Sequence, residues 1–210
     1  VSFSYGDKQL LVQSNLEIPF RQKVCITGTR EAGKFTLLKL IASLLPVQKG
    51  MYTINGKNIQ QYQLNNIRSL ISFSTLDDAL FTGSLIENLC FSNSIEHPEK
   101  LEQLLDLFDL SAWVNAHPEG LYQSIEANES WSYKLIRKLV LVRSLYSADR
   151  ILLMQDPTNG LEPKYAERLL NYITNLSNTT CIISSSDELI TKHTAFQQYL
   201  LINGQLEKKH

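Results

Sequence analysis

The stretch Gly28-Thr29-Arg30-Glu31-Ala32-Gly33-Lys34-Phe35-Thr36 holds the residues best spaced for chemistry. It fits G-x-x-x-x-G-K, between a strand-like "VCITG" and a helix-like "TLLKLIASLL". In that context backbone N–H groups at a helix N-terminus converge on an anion. Gly28 and Gly33 let the chain turn tightly around Ala32, and Lys34 can reach the β- and γ-phosphates of a nucleotide such as ATP. The position after the lysine, where a hydroxyl would ligate magnesium, is Phe35. A hard cation needs oxygen ligands. Thr36 lies about 100° further around the helix and does not simply substitute. Glu31 brings a carboxylate that must face, or swing away from, a triphosphate. The expectation is a loop that still cradles ATP beside a damaged Mg2+ site, with no metal ligand assigned.

Other chemistries have little support. The four histidines, His97, His117, His193 and His210, are scattered and form no H-x-x-x-H pair. Cys25, Cys90 and Cys181 form no C-x-x-C and read as small buried hydrophobes, which fits a reducing compartment. With 20 basic and 21 acidic residues the net charge is -1, which disfavours nucleic acid as a partner. No apolar run approaches the roughly 18 residues of a membrane span. The chain starts at Val1 on strand-like residues, without Met or a signal peptide, and reads as a fragment.

The elements that must position the loop follow from patterning. "KVCITG", "ILLMQ" and "TCIISS" are nearly continuous apolar runs, as in strands of a parallel sheet covered on both faces. Helices are expected over "TLLKLIASLL", stopping before Pro46, and over "EKLEQLLDLFDL", "YKLIRKLVLVRSL" and "EPKYAERLLNYITNL". In the last, Pro163 near the start costs little. Asn55-Gly56 and Asn203-Gly204 predict hairpins. The layout is an α/β fold with a largely helical insertion.

In this order the motifs resemble the ATP-binding cassette of ABC transporters, exporter type. "VSFSYGDKQLLVQSNLEI" is similar to the family's opening, with Tyr5 at the adenine-stacking aromatic. "GMYTINGKNIQQYQLNNIRSLISF" resembles the approach to the Q-loop, "LFTGSLIENLCF" the pattern L-F-x-G-T-I-x-E-N-I, and "HPEGLYQSI" the lead-in to the signature. "ILLMQDPTNGLEP" resembles the Walker B strand and D-loop. The resemblance spans all 210 residues. It implies a P-loop α/β cassette with a mostly parallel sheet, an antiparallel edge subdomain, core 1–75 and 146–210, and a helical subdomain at about 76–145.

It also implies damage. The Q-loop glutamine falls on Leu76. The signature L-S-G-G-Q falls on "WSYKL", where only Ser132 matches and Tyr133 and Lys134 replace the glycines. The Walker B aspartate falls on Gln155, and the catalytic glutamate on Asp156. The D-loop becomes "NGLE", and the switch histidine falls on Ser185, with a register uncertain by one residue. Phosphoryl transfer depends on charge neutralisation around the metal. The implied role is a nucleotide-binding domain, on the cytoplasmic face of a membrane, working with an exporter's transmembrane domain and a second cassette. It would hydrolyse little ATP itself and export a peptide or protein. Two alternatives stay open: a divergent ATPase using Asp156 and Thr36, and a nucleotide-free interaction module.

Overall fold

The computed structural model describes residues 1–126 and 130–209. The first half runs β1 (Phe3–Tyr5), β2 (Lys8–Leu11), β3 (Lys23–Thr27), α1 (Lys34–Ile41), β4 (Thr53–Ile54), β5 (Lys57–Asn58), α2 (Leu64–Arg68) and β6 (Ile71–Ser74). Then come β7 (Gly83–Ser84), α3 (Leu85–Cys90), α4 (Pro98–Leu107), α5 (Ser111–Asn115), β8 (Ser124–Ile125) and α6 (Tyr133–Tyr146). The chain closes with β9 (Ile151–Gln155), α7 (Pro163–Asn175), β10 (Thr180–Ser184), α8 (Glu188–Thr191), β11 (Gln197–Ile202) and β12 (Gln205–Lys208).

Two compact units emerge. The first comprises Val1–Phe73, Asp149–Asp156 and Leu176–His210, and the second Ser74–Ala148 and Pro157–Asn175.

The first unit is organised by a sheet in the order β12-β11-β3-β10-β9-β6. β3 pairs in parallel with β10 and β11, and β10 in parallel with β9, while β12 closes the edge antiparallel to β11. Every residue of β3 and β10 is buried. This explains why both runs are apolar without alternation. Leu37, Leu38 and Leu40 of α1 join Val24, Ile26, Leu153 and Ile182 in the core. Two hairpins, β1–β2 and β4–β5, supply the antiparallel part. Both Asn-Gly pairs turn with positive φ, Asn55 at 53° and Gly56 at 74°, Asn203 at 48° and Gly204 at 75°.

α1 ends earlier than its apolar spacing predicts. Ser43 takes φ 55°, its N–H bonds Leu40 O at 3.0 Å, and Leu44 N–H bonds Lys39 O at 2.9 Å. This paired closure terminates a helix at a left-handed residue, here without glycine.

In the second unit α6 packs on α3 and α4, and α4 on α5 and α7. Leu101, Leu104, Leu139, Val142, Leu145, Leu169 and Ile173 are buried in it. Ser84 caps α3 reciprocally with Glu87, the S-x-x-E arrangement of "SLIE". Cys25 and Cys181 are buried as expected, and Cys90 is half-buried.

Candidate functional site

β3 delivers the phosphate loop from the carboxyl end of a fully buried strand. At Gly28, φ is 150°, and a β-carbon would stand 2.5 Å from Leu201 O, so no other residue fits without moving backbone. Gly33, at φ 101°, is the N-cap of α1. It caps with no side chain, so the first-turn N–H groups remain available to an anion. Ala32 N–H bonds Thr29 O at 3.2 Å and closes the loop between them.

Lys34 folds back over this loop. Its Nζ donates to Gly28 O at 2.7 Å and Thr29 O at 2.9 Å. Burial lowers its pKa, with Asp156 and Cys25 acting in the opposite direction. Glu31 and Asp156 are the carboxylates with which a lysine at this position could pair. Glu31, at φ 68°, instead turns outward to Lys8, 3.4 Å away. Lys8 is paired across the hairpin with Tyr5, whose half-exposed ring stands edge-on to Phe3 at 5.0 Å. The hairpin thus carries the candidate adenine-stacking ring and the counter-charge for Glu31.

Asp156 follows β9 at φ 41°, and its N–H bonds Ser184 O at 2.9 Å. Gln155 is the last residue of β9, in register with Ser184, which pairs on its other side with Ile26. The loop and Asp156 therefore leave the same sheet at the same end, one strand apart. Burial raises the Cys25 thiol to about 12, Asp156 adding to the effect, so the thiol beneath the loop stays neutral. Ser185 is fully buried, and its Oγ accepts from Asp187 N–H at 3.1 Å. Ser186 lies closer to the loop, its Oγ 3.5 Å from Gly28 O, so the register shift of one residue matters here.

The residues present do not fit the magnesium ion that the fold implies. Phe35 packs on Phe73 with ring centroids 6.1 Å apart, and Lys39 Nζ sits 4.2 Å from the Phe35 centroid. The side chain at the hydroxyl's position is thus engaged with an aromatic ring and an ammonium, and it carries no oxygen. Thr36 is buried in the helix's inner face. Gln155, which the resemblance matches to the Walker B aspartate, carries a neutral amide. Among the described residues, no three His, Cys, Asp or Glu side chains cluster to hold a metal.

Ser132 belongs to the second unit. It is the N-cap of α6, its Oγ accepting from Leu135 N–H at 3.3 Å. Tyr133 lies against Gly160, and Lys134 Nζ bonds Glu162 Oε1 at 3.1 Å. Trp131 stacks edge-on to Trp113 at 5.3 Å, a packing contact. Leu76 is half-buried in a turn tied down by α6: Arg137 bonds Thr75 O at 2.9 Å, and Arg143 bonds Ala79 O at 3.0 Å. Both arginines are buried.

The family model described as "ABC transporter" matches residues 11–159. A probable microcin secretion/processing ATP-binding protein of Escherichia coli is 29% identical over 90% of this chain and 27% of its own length. A lactococcin-A transport/processing ATP-binding protein of Lactococcus lactis subsp. lactis is 26% identical over 88% of this chain and 26% of its own. The chain spans about a quarter of these relatives. A solved bacterial Atm1-family ABC exporter with ATP bound superposes with TM-score 0.87 at 20% identity, covering 99% of this chain and 37% of that one. That superposition shows the shared α/β fold.

Proposed function

The chain belongs to the ABC transporter family, and from that premise we propose that it is the nucleotide-binding cassette of an exporter that binds ATP and hydrolyses little of it. The observation that carries this reading is the contrast within one loop. Gly28, Gly33 and Lys34 keep the geometry of a phosphate cradle, while the residue after the lysine, Phe35, packs its ring on Phe73 and offers no oxygen ligand.

In this reading the α1 N-terminus and Lys34 hold phosphate, and Tyr5 stacks on the base. To receive phosphate, Lys34 exchanges its bonds to Gly28 O and Thr29 O for bonds to the ligand. Magnesium would supply charge neutralisation for phosphoryl transfer, and no residue here replaces it. Asp156 remains as the carboxylate at the catalytic position, one methylene shorter than glutamate. Losing a single such electrostatic group commonly costs about 10²–10³ in rate.

No helix among the described residues is long and apolar enough to cross a membrane. Placement at the cytoplasmic face, beside a transmembrane domain and a second cassette, rests on the family. A peptide is the proposed cargo class, because two of the relatives are named for microcin and lactococcin transport. The test is a fluorescent ATP analogue together with phosphate release. Binding that Lys34→Ala abolishes, with negligible turnover, is expected. Magnesium-dependent turnover near about 1 s⁻¹, the low end for ordinary enzymes, would instead establish a working ATPase.

A further inference from the structure

Resting on the reading of the loop as a nucleotide site, we propose that it takes a nucleoside diphosphate free of divalent metal in preference to a triphosphate. Four features of the first unit converge on this. Phe35 stands where a hydroxyl ligand would, its ring packed on Phe73 with the Lys39 ammonium 4.2 Å from its centroid. A divalent ion brought there gains no oxygen ligand from Phe35. The side-chain cation folded onto the loop itself is Lys34. Its charge can match one phosphate group, and the α1 amides add only dipoles.

The acidic groups decide between two and three phosphates. Asp156 leaves the sheet beside the loop, one strand from β3, and acts electrostatically on Lys34. A third phosphate within reach of Lys34 shares that ammonium with the Asp156 carboxylate, and no metal offsets their repulsion. Glu31 is turned away to Lys8. A diphosphate needs the lysine for a single terminal phosphate and leaves the aspartate beyond it. The same arrangement that removes magnesium thus inverts the charge preference of the loop.

The test is calorimetric titration of the 210-residue chain with ADP and with ATP, each in EDTA and in excess Mg2+. ADP is expected to bind about tenfold more tightly than ATP in EDTA, a tenfold gap corresponding to about 1.4 kcal/mol. Magnesium should tighten neither. Asp156→Asn removes the repelling charge and should narrow the gap by raising ATP affinity. ATP binding as tight as ADP in EDTA, or ATP tightened tenfold by magnesium, overturns the proposal while leaving the loop a nucleotide site. Absence of binding for both nucleotides in both conditions overturns the underlying reading as well.

Discussion

A β-carbon placed on Gly160 would stand 2.5 Å from Cε1 of Tyr133. The Tyr133 ring, which the resemblance matches to the first of the signature's paired glycines, therefore lies against Gly160, which it matches to the D-loop. Next to it, Lys134 Nζ and Glu162 Oε1 are 3.1 Å apart. Residues that look like losses when read against a signature motif are joined to residues that look like losses in the D-loop. The bulk of Tyr133 and the smallness of Gly160 suit each other, and so do the charges of Lys134 and Glu162.

Gly160→Ala should destabilise the chain by about 1–3 kcal/mol, from φ of 80° and the clash together. Adding Tyr133→Ala should recover the steric share and leave the backbone share. Urea unfolding of both single variants and the double variant measures the coupling. Strict additivity would mean the ring moves aside at no cost.

These contacts also show how far the sequence could be read. The three buried strands, both Asn-Gly hairpins and the loop were legible because each rests on short-range chemistry: apolar runs, positive φ and a glycine-lysine spacing. Two kinds of feature were not. Lys34 bonds loop carbonyls, while Glu31 pairs with Lys8, a partner 23 positions away. Arg137 and Arg143 act on backbone more than 60 positions upstream, contacts that helical periodicity alone does not reveal. α1 ends early at the left-handed Ser43, whose carbonyl accepts from Arg68 Nη2 at 2.9 Å, a contact 25 positions away.

Asp109 gathers Lys164 at 2.6 Å, Arg168 at 2.7 Å and the Tyr165 hydroxyl at 2.9 Å. These hydrogen bonds, Lys164's first, hold its carboxyl well below the usual carboxylate range. A folded pKa depressed below the unfolded value of about 3.9 adds stability above that value. The contribution disappears as pH falls toward the folded pKa. Asp109→Asn tolerates the φ of 54°. It should lower the thermal midpoint at pH 6 and flatten its decline between about pH 4 and pH 2. Parallel melting profiles for variant and parent would show that the cluster is not linked to folding.

Lys23 is buried at the start of β3, its Nζ donating to Leu176 O at 2.7 Å, Thr179 O at 2.5 Å and Arg21 O at 3.4 Å. Lys23→Met keeps the stem and removes the donor. Carbonyls left without their partner cost about 1–3 kcal/mol each where water cannot reach them. A chemical denaturation midpoint lowered by that order is expected. An unchanged midpoint would mean that water replaces the ammonium.

The metal site gives the last prediction, because its loss has two separable parts. Phe35→Ser restores a hydroxyl, but Gln155 still presents an amide, and Lys39 remains nearby. Magnesium should not tighten ATP binding in this variant. Gln155→Asp alone restores the carboxylate while the Phe35 ring, packed on Phe73, still fills the ligand's place. It too should show no magnesium effect. Only the double variant supplies two oxygen ligands to a hard cation, so only there should ATP affinity rise with magnesium, by about tenfold or more if the pair is worth at least about 1.4 kcal/mol. Titration of ATP with and without Mg2+ across the four chains reads this coupling directly. A magnesium response in either single variant would mean that one restored ligand suffices, and that the other substitution was never what excluded the metal.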